Sequence, residues 1–234
     1  MEQYSRHISL IGENGQRKLS EGKVAVIGLG GLGTVAVQFL TRVGVGKLVL
    51  VDYKHVDVPD LNRQIIYTRE DIGKSKVKAV KKWIENVNPE VAVEAVEDIL
   101  SLENVKDVIC ECDVALDCLD NFRTRYILND ACVKYGVPFV HAAVNGFNGQ
   151  VMTVFPGETP CLRCIFPDVR DEENEIPVIG SICGVVGAIE ALEAIKILTG
   201  VGESLAGKLL LIDLKANSFE TINVGMRKGC ICES

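Results

Sequence analysis

Apolar and polar positions follow one another along the chain in blocks that predict a succession of strands and helices. Short runs rich in Val, Ile and Leu are typical of strands buried on both faces of a parallel sheet. Such runs occupy residues 23–27 and 114–116, and residues 47–51, 91–96 and 137–142 predict further strands. Segments with helical spacing occupy residues 12–19, 32–43, 74–87 and 122–135. Strands that alternate with helices predict a Rossmann-like α/β fold with a doubly wound, mostly parallel sheet.

The pattern changes after about residue 149. Residues 150–155 and 209–214 predict further strands, and residues 218–224 alternate as an edge strand does. The acidic stretch 168–175 predicts a mobile surface loop, and residues 184–198 predict a helix with small residues on one face. We therefore expect a single domain, 1–234, that consists of a half at 1–149 and a more antiparallel half at 150–234.

Composition narrows the function classes. A chain of 234 residues can bury one sizeable core, and a net charge of −7 argues against a general nucleic-acid surface. No apolar run reaches the ~18 residues of a membrane span, and the N-terminus has no signal-peptide core. The nine cysteines are an odd number, which favours reduced thiols and metal ligation over a disulfide framework. These features predict a cytoplasmic protein.

The first predicted strand is followed by the segment Gly28-Leu29-Gly30-Gly31-Leu32-Gly33 and then by a helix. Glycines at this spacing allow a tight turn, close approach of the backbone to phosphate and close packing of helix on strand. The next strand ends at Asp52, which is placed to accept hydrogen bonds from ribose hydroxyls. This glycine loop predicts a nucleotide site but does not distinguish NAD from ATP.

Cations further along the chain bear on that choice. The segment Asp60-Leu61-Asn62-Arg63-Gln64 is followed by Lys76, and Asp120-Asn121 comes just after a strand. A hydride-transfer cofactor keeps its pyrophosphate, whereas attack on the α-phosphate of ATP needs stabilisation of the leaving pyrophosphate. Arg, Lys and a metal ion supply that stabilisation, and a carboxylate such as Asp120 can hold Mg²⁺. The combination favours a site that breaks the triphosphate of ATP.

The chain resembles the ThiF/MoeB/HesA family, the bacterial relatives of ubiquitin-activating enzymes, over nearly its whole length. The motifs that carry the resemblance are, in chain order, Tyr4-Ser5-Arg6-His7, Gly15-Gln16, the glycine loop, Asn62-Arg63-Gln64, Gly73-Lys74-Ser75-Lys76, Asp117-Cys118-Leu119-Asp120-Asn121, Thr124-Arg125, Cys161-Leu162-Arg163-Cys164, Glu193-Ala194-Ile195-Lys196 and Gly229-Cys230. This series is highly specific for the family and less so for any one member.

The resemblance implies an adenylyltransferase that binds MgATP and activates the C-terminal Gly-Gly carboxylate of a ubiquitin-like sulfur carrier. It implies that the glycine loop lines the nucleotide, that Asp52 binds the ribose and that Asp120 organises Mg²⁺. Arg63 and Lys76 are expected at the phosphates. Arg6 is expected to reach the triphosphate of the neighbouring subunit, which implies a homodimer.

The chain departs from the family pattern in its cysteines and at Asp60. Family members carry two Cys-x-x-Cys pairs that hold zinc, whereas here the intact pair Cys161 and Cys164 is joined by the shorter pair Cys230 and Cys232. Four thiolates can still form a tetrahedral structural zinc site, which we expect to clamp the C-terminal tail. The family usually has Asn at the position of Asp60, and a carboxylate near a triphosphate is repulsive unless it binds metal or turns away.

The other thiols and the histidines carry weaker signals. Cys183, at the start of the last helix, is expected to be a packed residue, although a helix N-terminus can activate a thiol. The Cys110 and Cys112 pair has no partner ligands for a metal, and His7, His55 and His141 show no metal or triad spacing. Cys118 and Cys132 are expected in the core.

Three alternative functions stay open at this point. A nicotinamide dehydrogenase would share the glycine loop and Asp52 but would leave Arg63, Lys76 and Asp120 unexplained. A tRNA-modifying relative would adenylate a small carboxylate on RNA, which the acidic composition disfavours. A non-catalytic partner subunit would keep the fold but lose the chemical groups that this chain retains.

Overall fold

The structure is a computed structural model that describes residues 2–171 and 176–233. Its strands are β1 (Lys23–Ile27), β2 (Lys47–Val51), β3 (Ala92–Val96), β4 (Val114–Asp117), β5 (Phe139–Asn145), β6 (Asn148–Val154), β7 (Lys208–Asp213) and β8 (Ser218–Asn223). They form one eight-stranded sheet in the order β3-β2-β1-β4-β5-β6-β7-β8. The strands from β3 to β5 in that order pair in parallel, and those from β5 to β8 pair antiparallel. The predicted mixed, mostly parallel α/β sheet is therefore confirmed.

Helices cover both faces of this sheet. They are α1 (Ser5–Glu21), α2 (Gly31–Val43), α3 (Lys76–Val87), α4 (Val105–Ile109), α5 (Phe122–Tyr135), α6 (Leu162–Ile165) and α7 (Gly180–Thr199). Short 3-10 turns span Glu2–Tyr4, Val58–Asn62 and Arg69–Asp71. None of the described helices is both long enough and apolar enough to cross a membrane.

Alternate residues of the central strands point to opposite faces, which produces two hydrophobic cores. Val24 and Leu48 belong to the core under α2, α3 and α7. Ala25 and Val49, one residue further along, belong to the core under α4 and α5. All four side chains are almost completely buried. Continuous apolar strands are thus explained by burial on both faces.

The helices depart from the sequence prediction mainly at their ends. The predicted helix at 12–19 is part of the longer α1, which is kinked at Gly12, where φ is +72°. The predicted helix at 184–198 begins earlier, at Gly180, and α4 and α6 were not predicted at all. Residues 168–171 of the predicted acidic loop are exposed, and 172–175 lie outside the described residues.

The strand order fixes where a ligand can bind. β1 lies between β2 and β4, so the chain winds in opposite directions on either side of the β1–β4 pair. In open α/β sheets, ligands bind at such a switch point, beyond the carboxyl ends of the strands. The glycine loop follows β1 and the segment with Asp120 follows β4. The topology therefore brings both predicted site segments to the same crevice.

Candidate active site

The glycine loop has the geometry of a close-packed strand-to-helix turn. Gly28 has a φ of +96°, and a Cβ on it would lie 2.7 Å from the carbonyl oxygen of Cys118. A Cβ on Gly33 would lie 1.9 Å from the carbonyl oxygen of Gly28. Around Gly30 the space is open: the nearest atom to a Cβ there is Gln64 Nε2, at 3.9 Å. The loop leads into the N-terminus of α2, which favours an anion through its amides and dipole.

Asp52 anchors the loop to the end of β2. Its carboxylate accepts a hydrogen bond from the amide of Leu29 and another from the amide of Lys54, both at 2.8 Å. Tyr67 donates its hydroxyl to the Leu29 carbonyl at 2.8 Å. Burial and the charge of Asp52 raise the pKa of Tyr67, so the hydroxyl stays protonated. Asp52 is therefore a support of the loop as well as a candidate for the ribose.

The predicted phosphate-binding cations meet at Asp60. This residue lies in the 3-10 turn Val58–Asn62, where it completes a capping box with Asp57. Lys76 Nζ lies 3.0 Å from one carboxylate oxygen of Asp60, and Arg63 lies 3.7 Å from the other. Gln64 also donates to Asp60, at 2.5 Å. The four residues form one cluster beside the glycine loop, since a Cβ on Gly31 would lie 3.8 Å from Arg63 Cγ.

The members of this cluster differ in how deeply they are buried. The Lys76 side chain is 5% exposed and that of Arg63 is 28% exposed. Arg63 donates to the carbonyl of Pro59 and to the side chain of Asn62, which is itself exposed. Lys76 therefore does not lie on a solvated helix face, because burial and the ion pair with Asp60 hold it inward.

Asp120 lies on the other side of the crevice, just beyond β4. Lys54 Nζ lies 3.0 Å from one oxygen of Asp120, and the side-chain amide of Asn121 donates to the other oxygen at 3.1 Å. Desolvation acts to raise the pKa of Asp120, but these two hydrogen bonds and the charge of Lys54 outweigh it and lower the pKa. At Lys54, desolvation acts to lower the pKa, but the hydrogen bond to Asp120 and the charge of Asp120 outweigh it and raise the pKa. An exposed, ionised carboxylate fits a hard cation such as Mg²⁺.

A buried polar network, whose connections the sequence does not reveal, supports this segment. Arg125 donates to the carbonyl of Leu119, the residue before Asp120, and pairs with Asp117 at 3.4 Å. His141 Nδ1 lies 2.6 Å from a carboxylate oxygen of Asp117. The other ring nitrogen, Nε2, lies 3.0 Å from the side-chain Nε2 of Gln150. Burial lowers the pKa of His141 more than Asp117 raises it, so the ring is neutral and donates from Nδ1.

Arg6 lies far from the glycine loop of its own chain. It is exposed in the first turn of α1, and Tyr4, two residues earlier, packs against Gly44, before β2. Asn88, before β3, donates to the Tyr4 hydroxyl at 3.0 Å. The N-terminal arm is therefore at the amino ends of these strands. The five residues of β2 separate the amino end of the strand from its carboxyl end by about 16 Å.

The four predicted metal-binding cysteines come together. Their sulfur atoms all lie within 4.8 Å of one another. Cys161 Sγ lies 3.6 Å from Cys230 Sγ, and Cys164 Sγ lies 3.3 Å from Cys232 Sγ. Zinc–sulfur bonds of 2.3 Å in a tetrahedron place the sulfurs about 3.8 Å apart. The shortened second pair thus still closes a four-thiol cluster that could hold zinc.

Four of the five remaining thiols are packed residues. Cys183 is 1% exposed, and burial raises its pKa although Arg63 opposes this effect. Burial also raises the pKa of Cys112 to about 11 and keeps the pKa values of Cys118 and Cys132 high. Cys110 is exposed. The four buried thiols are therefore poor nucleophiles.

A glycine loop at the switch point of a doubly wound sheet, faced by buried and half-buried cations, defines an α/β nucleotide-binding protein. Residues 4–233 match the model of the ThiF family, and the chain belongs to that family.

Several curated proteins are similar over nearly the whole chain. The SAMP-activating enzyme E1 of Haloferax volcanii is 41% identical over 98% of this chain and 87% of its own length. The sulfur carrier protein ThiS adenylyltransferase of Escherichia coli is 41% identical over 97% of this chain and 92% of its own. The sulfur carrier protein adenylyltransferase of Thermus thermophilus is 39% identical over 98% and 89%.

Solved structures agree in fold. The crystal structure of E. coli MccB with ATP superimposes with a TM-score of 0.88 and covers 98% of this chain and 74% of that chain. The two sequences are 24% identical. The likeness therefore shows a shared fold.

Proposed function

We propose that the protein uses ATP to adenylate the C-terminal Gly-Gly carboxylate of a ubiquitin-like sulfur carrier. The observation that carries the proposal is the cation cluster beside the glycine loop, with Lys76 buried on Asp60 and Arg63 next to it. The names of the relatives, which include two sulfur-carrier adenylyltransferases, agree with it.

The chemistry follows from the placement of charge. A carrier carboxylate oxygen attacks the α-phosphorus, and the bond to the pyrophosphate oxygen breaks. Arg63 and Lys76 stabilise the charge that grows on the leaving pyrophosphate, while Gly28, Gly30, Gly31 and Gly33 let the nucleotide approach the backbone. No general base is needed because the attacking carboxylate is already ionised.

On the other side of the crevice, Asp120, beside Asn121, would hold Mg²⁺, which neutralises phosphate charge when bound. Lys54 has to leave the Asp120 oxygen that such an ion would take. Asp52 has lone pairs beyond those that bind the two amides, so it can also accept from a ribose hydroxyl. These assignments are proposals that nucleotide binding by single variants can test.

The second half of the chain, residues 150–234, is proposed to dock the carrier. We propose a structural zinc ion at Cys161, Cys164, Cys230 and Cys232, because the observed sulfur spacing fits tetrahedral coordination. Free thiols of this number are typical of a reducing compartment, so we place the protein in the cytoplasm. We also propose a homodimer in which Arg6 serves the partner's site.

The alternatives predict different ligands. A tRNA-modifying relative would activate a carboxylate on RNA, and a dehydrogenase would bind NAD through the same loop. The cation cluster favours triphosphate cleavage over hydride transfer, and the net charge of −7 disfavours an RNA substrate.

The decisive experiment is pyrophosphate exchange. Purified protein should incorporate labelled pyrophosphate into ATP when a Gly-Gly-ended sulfur carrier is present. The matched control is the same carrier without its last glycine, which should support no exchange. Exchange that depends on tRNA, or tight NAD binding with no exchange, would overturn the proposal.

A further inference from the structure

Asp60 is the centre of the cation cluster, and all of its contacts are internal. One oxygen accepts from the amide of Asp57 at 3.0 Å and pairs with Lys76 at 3.0 Å. The other accepts from Gln64 and pairs with Arg63. The residue is only 9% exposed. A carboxylate with these partners is held in place by its own chain and presents little surface to a ligand.

This arrangement explains how an acid can stand in a phosphate site. Two cations that share one carboxylate would otherwise repel each other, and the buried Lys76 would have no counter-ion. Asp60 holds both within one carboxylate width, which leaves the cluster with one net positive charge. The Gln64 and Asp57 hydrogen bonds keep the carboxylate in position when a cation moves toward a phosphate.

We propose that Asp60 is a positioning residue: it orders Lys76 and Arg63 for the triphosphate and does not itself contact the nucleotide. This inference rests on the proposed function, since it assigns the two cations to the phosphates. The competing possibility is that Asp60 merely competes with the triphosphate for Lys76. The two possibilities predict effects of opposite sign when the charge of Asp60 is removed.

The chain supplies a matched control in Asp71. Asp71 occupies the same place in the capping box of Thr68 and accepts from the Thr68 amide at 3.0 Å. It also pairs with a lysine, Lys74, at 3.1 Å. The substitution D71N therefore removes a capping-box carboxylate and a lysine pair outside the cation cluster.

The test is a double-mutant cycle on the affinity for a non-hydrolysable ATP analogue, AMP-CPP with Mg²⁺, measured by calorimetry. K76A should raise the Kd for AMP-CPP in the wild-type background. In the D60N background we expect the factor by which K76A raises Kd to be at least threefold smaller. In the D71N background the loss should equal that in wild type. A larger loss in D60N would mean that Asp60 competes for Lys76, and an unchanged loss would mean that it does not position Lys76. Either result overturns the inference.

Two further measurements keep the inference falsifiable. If D60N does not fold, D60E is the second variant, because it keeps the charge but moves it by one methylene. We expect pyrophosphate exchange by D60E to be at least tenfold slower than by wild type. A wild-type rate would contradict the inference. In folded D60N, kcat for exchange should fall at least tenfold while D71N keeps the wild-type value. Absence of exchange in wild type would defeat the proposed function, whereas the AMP-CPP cycle would still judge Asp60.

Discussion

At the scale of single residues, two buried glutamates on α7 have opposite environments. Glu193 accepts from Thr153, Lys196 and the Leu205 amide, each at 2.6 Å. Glu190 has one partner, the Cys118 thiol at 3.3 Å, and its Oε2 is buried without one among the described residues. Burial and the nearby charge of Asp117 raise the pKa of Glu190 well above its usual range. Burial and the unpartnered oxygen therefore favour the protonated form of Glu190 in the folded protein.

This difference predicts a pH-dependent gain from Glu190→Gln. The unfolded chain ionises Glu190 above about pH 4.3, while the folded chain keeps the proton, so wild type loses stability as pH rises. Gln does not titrate, so the substitution removes up to about 1.4 kcal/mol of loss per pH unit. We expect chemical denaturation to show a larger advantage of Glu190→Gln at pH 7.5 than at pH 5.5.

Glu193→Gln is the control for that experiment. It keeps the size of the side chain but weakens the three hydrogen bonds that Glu193 accepts, so it should destabilise the protein at both pH values. An advantage of Glu190→Gln that does not change with pH would show that Glu190 is ionised in the folded state.

The sequence pointed to much of the candidate site but not to how its groups are paired. Residue type and order were enough to single out Arg63, Lys76 and Asp120, because phosphate chemistry needs these charges. Lys54 and Arg125 were missed as site residues, since a lysine after a strand and an arginine in a helix are common. Their roles depend on contacts across the fold, with Asp120 and with the carbonyl of Leu119.

At the scale of elements, the strands were predictable and the short helices were not. Every predicted strand is present with ends shifted by at most three residues. The apolar runs that form β1, β2 and β4 are buried on both faces, which makes such strands easy to predict. α4 and α6 are too short to show helical periodicity, and tertiary packing stabilises helices of that length. Helix ends depend on capping partners, which explains why α7 begins before its predicted start.

The close approach of α2 and α7 predicts an unusual rescue. A Cβ on Gly31 would lie 2.7 Å from Cys183 Sγ. Gly31→Ala should therefore cost about 1–3 kcal/mol of stability, and adding Cys183→Ala should recover more than half of it. Cys183→Ala alone should keep pyrophosphate exchange, because a carboxylate attacks ATP without help from a thiol. Thermal denaturation of the single and double variants measures the coupling.

Gly184→Ala is the control for this pair. Gly184 lies next to Cys183 in α7, and a Cβ on it would meet no atom within 4 Å. Gly184→Ala should therefore be neutral or stabilising. If the losses of Gly31→Ala and Cys183→Ala simply add, the two helices do not approach as closely as described.

The thiol cluster gives a second prediction at this scale. The protein should carry close to one zinc ion per chain, measured by elemental analysis. Cys230→Ser should release it and lower the melting temperature, because binding of a structural metal is coupled to folding. The exposed Cys110 offers the control: Cys110→Ser should keep both metal and melting temperature. Metal-free protein whose melting is unaffected by a chelator would exclude a structural metal.

At the scale of the whole molecule, the glycine loop and the segment that carries Arg6 lie at opposite ends of the central strands. The glycine loop follows the carboxyl end of β1, whereas Tyr4 packs at the amino ends of β2 and β3. Arg6 is exposed two residues from Tyr4, and the proposed homodimer assigns it to the partner's site. Among residues 2–171 and 176–233, no carboxylate pairs with Arg6.

A two-fold dimer with exchanged arginines would give each chain's Arg6 to the partner's site, and complementation tests this directly. Arg6→Ala and Lys76→Ala should each be nearly inactive as homodimers. Co-expressed with different affinity tags and purified as mixed dimers, they should hold one complete site, with Lys76 from one chain and Arg6 from the other. Pyrophosphate exchange per mixed dimer should return to roughly half of wild type, since one of two sites works. If Arg6 serves its own chain, neither site of the mixed dimer is complete and mixing restores nothing.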